Sequence, residues 1–234
     1  VSALVLLAIG QSPSEALKVM VEGALVSPYG WGYTMYYATS FIFTGLAVTI
    51  AYHAGLFNIG AEGQAQLGGL GVALVCLALP WPHWTLALPA AMVGAALFGA
   101  AWAAIPAYLQ AKRGSHIVIT TIMFNYIAAA VLIFLLVDVL RPDGQMDPAT
   151  ANFPEAARLP TLNQIPGFNL FFTSNVPANV TLFIALGMAV AVWALLWRTR
   201  LGYAIRAFGK SEAAAKYAGI SPFMIIMVAM LISG

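Results

Sequence analysis

Charge is what this sequence has least of. Of its 234 residues, ten are Lys or Arg and eight are Asp or Glu, 8% together, where soluble domains carry about 25%. Eighteen charged side chains cannot clothe a soluble protein of this length. Cysteine is nearly missing too: Cys76 stands alone, which excludes an internal disulfide framework and a multi-cysteine metal site. His53, His83 and His116 fall at separate connections or segment edges and none pairs at metal-ligand spacing, so no metal is expected. A net charge of +2 is too small to argue for nucleic acid. There is no G-x-S-x-G elbow, no H-E-x-x-H and no P-loop lysine motif, so neither an enzyme nor a cofactor is expected. What is there is apolar: 62% of the chain. A disordered chain would have far less to bury. The solvent for much of this chain is lipid.

Five uninterrupted segments are expected to span a membrane: Thr34–Tyr52, Ala61–Leu79, Trp84–Leu109, His116–Val139 and Asn179–Trp197. Each is long enough, at about 1.5 Å per residue, to cover a hydrocarbon core roughly 30 Å thick. None has the polar face that a soluble bundle needs, so the fold class is an all-α polytopic transmembrane bundle forming one domain. The third segment is rich in Ala and Gly (Ala90, Ala91, Gly94, Ala95, Gly99), which lets helix backbones approach closely. Val1–Ile9 and Phe223–Gly234 are apolar but short; both read as parts of truncated membrane helices, and the chain as a fragment of a longer protein.

Lys112 and Arg113 occupy one connection; Arg198, Arg200, Arg206, Lys210 and Lys216 occupy another. If the two intervening segments each cross once, seven of the ten basic residues share one face, which the positive-inside rule makes cytoplasmic. The opposite face receives the loops around Gln11–Tyr33 and Arg141–Pro177. The second of these, residues 140–177, carries six prolines (Pro142, Pro148, Pro154, Pro160, Pro166, Pro177). Such spacing forbids a long helix and leaves either an irregular lid or a passive connector. Asn179-Val-Thr181 matches a glycosylation sequon but abuts a span and is read as coincidence.

Three places carry polar chemistry. The run Gly55-Leu56-Phe57-Asn58-Ile59-Gly60-Ala61-Glu62-Gly63-Gln64-Ala65-Gln66 puts a carboxylate and three amides among glycines. A charge inside a helix centre costs roughly 2.5–3.5 kcal/mol, so Glu62 should face protein or water. Two readings stand: a broken helix presenting Asn58, Glu62 and Gln64 to a solute path, or a tight turn whose helix starts with Glu62 in its first turn. Asn125, inside the fourth span, either bonds a neighbouring helix or lines a path. In the long basic connection 198–220, Ser211 can cap a short helix with Glu212 in its first turn, Gly219 can end it, and Ser221-Pro222 can start the next membrane helix. The small face of Ala213, Ala214, Ala215 and Ala218 suits a partner's groove; the alternatives are a topology determinant or contact with anionic lipid.

The run Gly55–Gln64 closely resembles a motif of permease subunits of bacterial ATP-binding-cassette importers for nucleosides and simple sugars, within the group that includes ribose and branched-chain amino acid permeases. Thr121-Ile122-Met123-Phe124-Asn125-Tyr126-Ile127 is similar to a second block of that family. Arg200-Leu201-Gly202 through Arg206-Ala207-Phe208-Gly209 to Ala214-Ala215-Lys216-Tyr217-Ala218-Gly219-Ile220 resembles its cytoplasmic coupling region, with Lys210 where Asn is common. The resemblance implies a bacterial inner-membrane subunit that pairs with a second, identical or paralogous, permease and with cytoplasmic ATPase subunits. It further implies an extracytoplasmic solute-binding protein, and membrane lipid around the bundle. It puts Asn58, Glu62, Gln64 and Asn125 near the translocation path, and Gly202, Arg206, Gly209, Glu212, Ala214, Ala215 and Gly219 in ATPase coupling. A branched-chain amino acid permease and an ion-coupled carrier or channel are the alternatives; the carrier would need more intramembrane charges than Glu62 and Asp138.

Overall fold

The computed structural model describes residues 2–172 and 176–234. The order is α1 (Ser2–Ala8), α2 (Pro13–Val21), α3 (Pro28–His53), α4 (Ala61–Ala78), α5 (Trp84–Arg113), α6 (Ile117–Phe134, continued by a π-helical turn to Val139), α7 (Thr181–Arg198), α8 (Arg200–Lys210), α9 (Glu212–Tyr217) and α10 (Pro222–Ser233). Among the described residues the extended structure is one isolated bridge, Thr161 with Asn179. The protein is an all-α polytopic membrane protein. Four of its helices are long and apolar enough to cross a membrane: α3, α5, α6 with its π turn, and α7.

Helix boundaries follow local chemistry. α3 starts earlier than the apolar run suggests, because Ser27 accepts from the Gly30 amide at 2.9 Å and Pro28 suits the first helical position. The stretch expected as the loop Gln11–Tyr33 is therefore helical over much of its length: α2 also opens on a Ser-Pro pair, Ser12-Pro13. α5 runs to Arg113 and stops at Gly114, whose φ of 65° is the left-handed conformation that glycine adopts without a Cβ penalty. α7 is opened by Asn179, whose side-chain oxygen accepts from the Thr181 amide at 3.0 Å and from its hydroxyl at 2.6 Å. The sequon residues thus form a helix cap.

The chain divides into two compact units, Val1–Ile42 with Leu159–Leu186, and Phe43–Arg158 with Gly187–Gly234. The first has a small core of Leu162, Phe172, Val176 and Ala178 with Met35 and Ile165 packed against it. Its part of the proline-rich segment makes a single 3₁₀ turn at Leu162–Gln164; Thr173–Asn175 of that segment lie outside the described residues.

In the second unit α4 is the central element. It packs on α5 where Gly71 and Gly94 meet: a Cβ on Gly94 would lie 2.9 Å from the Gly71 carbonyl oxygen, so only glycines allow this approach. The larger core gathers helix ends. Ala54 and Leu56 after α3, Ile117 at the start of α6, Leu196 at the end of α7, Ile205 and Phe208 of α8, Ala215 of α9 and Ile225 of α10 form one cluster. Lys112, at the end of α5, places its ammonium 4.8 Å from the Phe223 ring centroid. The two basic connections therefore lie at the same end of this unit.

Candidate functional site

The connection between α3 and α4 does not stay at that end. After Gly55, whose φ of +71° turns the chain back, Asn58 is 1% exposed and reaches two helices. Its Nδ2 donates to Gln64 Oε1 at 3.1 Å and to Ser233 Oγ at 2.8 Å, and its Oδ1 accepts from the Gly60 amide at 2.8 Å. Ser233 Oγ in turn donates to the Ala47 carbonyl of α3 at 2.8 Å. From α6, Asn125 grips the same turn on its other side: Oδ1 accepts from the Gly63 amide and Nδ2 donates to the Ile59 carbonyl, both at 2.9 Å. That pairing serves one of the otherwise orphaned amides of the first turn of α4.

Helix geometry gives the depth. Asn125 is eight residues beyond Ile117, Ala47 six before His53, and Ser233 eleven beyond Pro222; at ~1.5 Å per residue these are about 12, 9 and 16 Å. The three helices α6, α3 and α10 thus agree that Asn58–Gly63 lies about 9–16 Å inside the layer their ends define. α4 thus begins well inside that layer. Non-helical backbone at that depth is tolerated only where protein or a water-filled cavity satisfies it; Asn58 and Asn125 do that here, and Gln64 holds the Asn58 side chain in place. Space is as restricted as polarity: a Cβ on Gly60 would sit 2.9 Å from Asn58 Oδ1 and 3.1 Å from Thr121 Cβ, and one on Gly63 would sit 3.0 Å from Asn125 Oδ1.

Glu62 differs from its neighbours. Gln64 is buried with Asn58, whereas Glu62 is exposed on the surface of the unit in the first turn of α4, where the helix dipole favours a carboxylate. It makes no ion pair within 4 Å among the described residues, where Lys18–Glu22 is the pair formed. One turn on, Gln66 has its Oε1 enclosed without a hydrogen-bond partner. It lines a groove of about 340 Å³ with Ala65, Gly69, Leu132 and Leu136. Gln66 was not among the expected site residues; its spacing of four from Glu62 places both on one helix face, and that was the available signal. Ser233 gives no such signal, since its partners Asn58 and Ala47 are distant in sequence.

The second expected site forms around α8–α10. Each helix there has its cap: Thr199 accepts from Gly202 N at 3.0 Å, Ser211 from Ala214 N at 3.2 Å, and Ser221 from Met224 N at 3.4 Å. Gly219, at φ +82°, follows α9. Gly202 packs against the Leu195 and Leu196 carbonyls, and Gly209 against the His53 carbonyl; both glycines let α8 lie flat on other backbone. Arg206 donates from Nε to the Leu196 carbonyl at 3.0 Å and lies 4.2 Å over the Trp197 ring. Ala215 is turned inward, 2% exposed, because it packs in the core cluster. The outward face of α9 is therefore Glu212, Ala213, Ala214, Lys216 and Tyr217, with Tyr217 98% exposed.

Residues 31–234 match the profile of the family described as branched-chain amino acid transport system / permease component. The chain belongs to that family. The permease chain is 34% identical over 232 residues to the guanosine ABC transporter permease protein NupP of Bacillus subtilis, covering 99% of itself and 64% of that protein. It is 33% identical to the glucose ABC transporter permease protein TsgB13 of Haloferax volcanii, over 100% of itself and 61% of that protein. With the nucleoside ABC transporter permease protein NupB of Lactococcus lactis it shares 31% identity, over 99% and 63%. The permease chain thus spans a little over three-fifths of the length of these relatives. No solved structure matches it. The family is one of membrane transport components, not of enzymes.

Proposed function

We propose that this chain is the membrane-spanning part of an ATP-driven importer for a small polar solute, a nucleoside or simple sugar, and that its α4 start borders the translocation path. The carrying observation is Glu62: an exposed carboxylate about 9–16 Å inside the layer costs roughly 2.5–3.5 kcal/mol against lipid, so it faces water or protein. Gln66, with its unpartnered acceptor, extends that polar face. Asn58, Gln64 and Asn125 act from behind it, holding the broken backbone in place.

The chain is read as one permease domain. Its partners are a second permease subunit, cytoplasmic ATPase subunits and an extracytoplasmic solute-binding protein. The end bearing Lys112, Arg113 and the 198–220 segment is cytoplasmic, a reading supported by its seven basic residues; loop 140–177 is extracytoplasmic. On the cytoplasmic side α9 docks on the ATPase, with Glu212, Ala214 and Tyr217 at the contact, while Gly202, Arg206, Gly209, Ala215 and Gly219 set its position. The solute class is supported by relatives named for guanosine, nucleosides and glucose. The family's own description favours a second solute, a branched-chain amino acid.

The test is uptake into proteoliposomes holding the full-length permease, its ATPases and its binding protein. ATP-dependent uptake of labelled guanosine or glucose, insensitive to collapse of ion gradients, is expected. Uptake of leucine alone would replace the solute class, and gradient-driven uptake without ATP would overturn the reading.

A further inference from the structure

A cleft of about 510 Å³ opens where α3, α7 and α8 meet, lined by Tyr52, His53, Phe57, Trp197, Arg206 and Lys210, with Gly55, Leu56 and Gly209 at its floor. Two cations line it and no carboxylate does. The guanidinium of Arg206 is held in place, its Nε on the Leu196 carbonyl and its central carbon 4.2 Å from the Trp197 ring centroid. Its terminal nitrogens and the Lys210 ammonium make no ion pair or hydrogen bond among the described residues. His53 is fixed as well: the Thr49 carbonyl, 2.9 Å away, makes Nδ1 the protonated nitrogen, and the ring meets Trp197 edge-on at 6.1 Å. Around this polar centre the rim is aromatic and exposed, with Tyr52 at 67%, Phe57 at 53% and Trp197 at 52%.

The cleft lies at the ends of two membrane-spanning helices, α3 ending at His53 and α7 at Arg198. That is the level of lipid headgroups, where amphipathic aromatic rings are favoured and basic pockets between helices hold anionic heads. A planar guanidinium with free terminal donors matches a phosphate oxygen pair, and an ammonium adds a point charge. We infer that this cleft is a binding site for an anionic phospholipid, its phosphate between Arg206 and Lys210 and its acyl chains against Tyr52, Phe57 and Trp197. The aromatic rim is what selects a lipid over soluble phosphate. A bound lipid ties α8 to α3 and α7, the helices that carry it. The inference rests on the membrane-spanning helices and not on the solute or the ATPase partner.

The full-length permease, purified in mild detergent, is titrated with phosphatidylglycerol or phosphatidylcholine, and bound lipid is counted by native mass spectrometry. Phosphatidylglycerol is expected to be retained over phosphatidylcholine. At about fivefold per cation, Arg206→Gln with Lys210→Gln should weaken it about thirtyfold. Arg200→Gln with Lys216→Gln removes the same charge outside the cleft and should leave retention within about twofold of wild type. Lys210→Gln alone, at an exposed helix end, keeps the test readable if Arg206 variants fail to fold; about a fivefold loss is expected. Equal losses from both double variants would overturn the site in favour of diffuse charge attraction. Displacement of phosphatidylglycerol by millimolar glycerol phosphate would overturn the lipid as occupant.

Discussion

Replacing Asn58 by Leu keeps the branching and heavy-atom count of the side chain and deletes three hydrogen bonds at once. The change strands two buried groups, the Gly60 amide and Gln64 Oε1, because Asn58 is the partner of both. Ser233 keeps its bond to Ala47. An orphaned buried group costs about 1–3 kcal/mol, giving about 2–6 kcal/mol for the two. Hydrogen bonds inside membrane proteins average nearer 0.6 kcal/mol, so three give about 2 kcal/mol. The two routes meet at about 2 kcal/mol, roughly a thirtyfold shift in the unfolding equilibrium. Steric trapping or denaturant unfolding in micelles reads this directly, and a cycle with Ser233→Ala isolates the link from the α3–α4 turn to α10, for which about 0.6–1.7 kcal/mol of coupling is expected. An Asn58→Leu variant as stable as wild type, with no coupling to Ser233, would refute the claim that this amide holds the re-entrant turn.

Gly209→Ala drives a methyl into the His53 carbonyl and to 2.8 Å from the Gly55 amide; both are backbone, so we expect about 1–3 kcal/mol of destabilisation, seen as a lowered thermal midpoint, and weaker coupling of ATP hydrolysis to uptake. Tyr217→Ala removes a side chain with almost no intramolecular contact. Its stability should be unchanged, while stimulation of the ATPase falls at least about tenfold, as for an interfacial aromatic anchor; unchanged stimulation places the docking surface elsewhere. Ser211→Ala should cost α9 about 1 kcal/mol through loss of its cap, read by amide hydrogen exchange at Ala213–Ala215.

What the sequence made legible is what local chemistry decides. The caps at Ser211 and Ser221 and the glycine after α9 are visible because the residues that make them are within a few positions of one another. The membrane spans are visible because lipid imposes length and apolarity on each segment separately. α4 is the exception among them: Glu62, Gln64 and Gln66 stand in its first two turns, and it is not one of the four helices long and apolar enough to cross among the described residues. Helix α8 was not among the expected elements, although Leu201, Ala204, Ile205 and Phe208 recur at helical spacing; its Gly202 and Gly209 each bring it against another backbone. Asn125 as an interhelical partner was one of the readings its mid-span position suggested; that it holds the first turn of α4 depends on a partner 62 residues away. The link from Asn58 to Ser233 spans 175 residues, and nothing local in an apolar twelve-residue helix announces it.

The central claim is that α4 starts inside the membrane and turns Glu62 towards a water-filled path, with Gln64 sealed behind it. In a Cys76→Ala background, single cysteines at positions 62 and 64 are challenged with a membrane-impermeant thiol reagent in the assembled transporter. Position 62 should react, more slowly when solute is supplied, and position 64 should not. Protection at both positions, or equal reaction at both, would contradict the account.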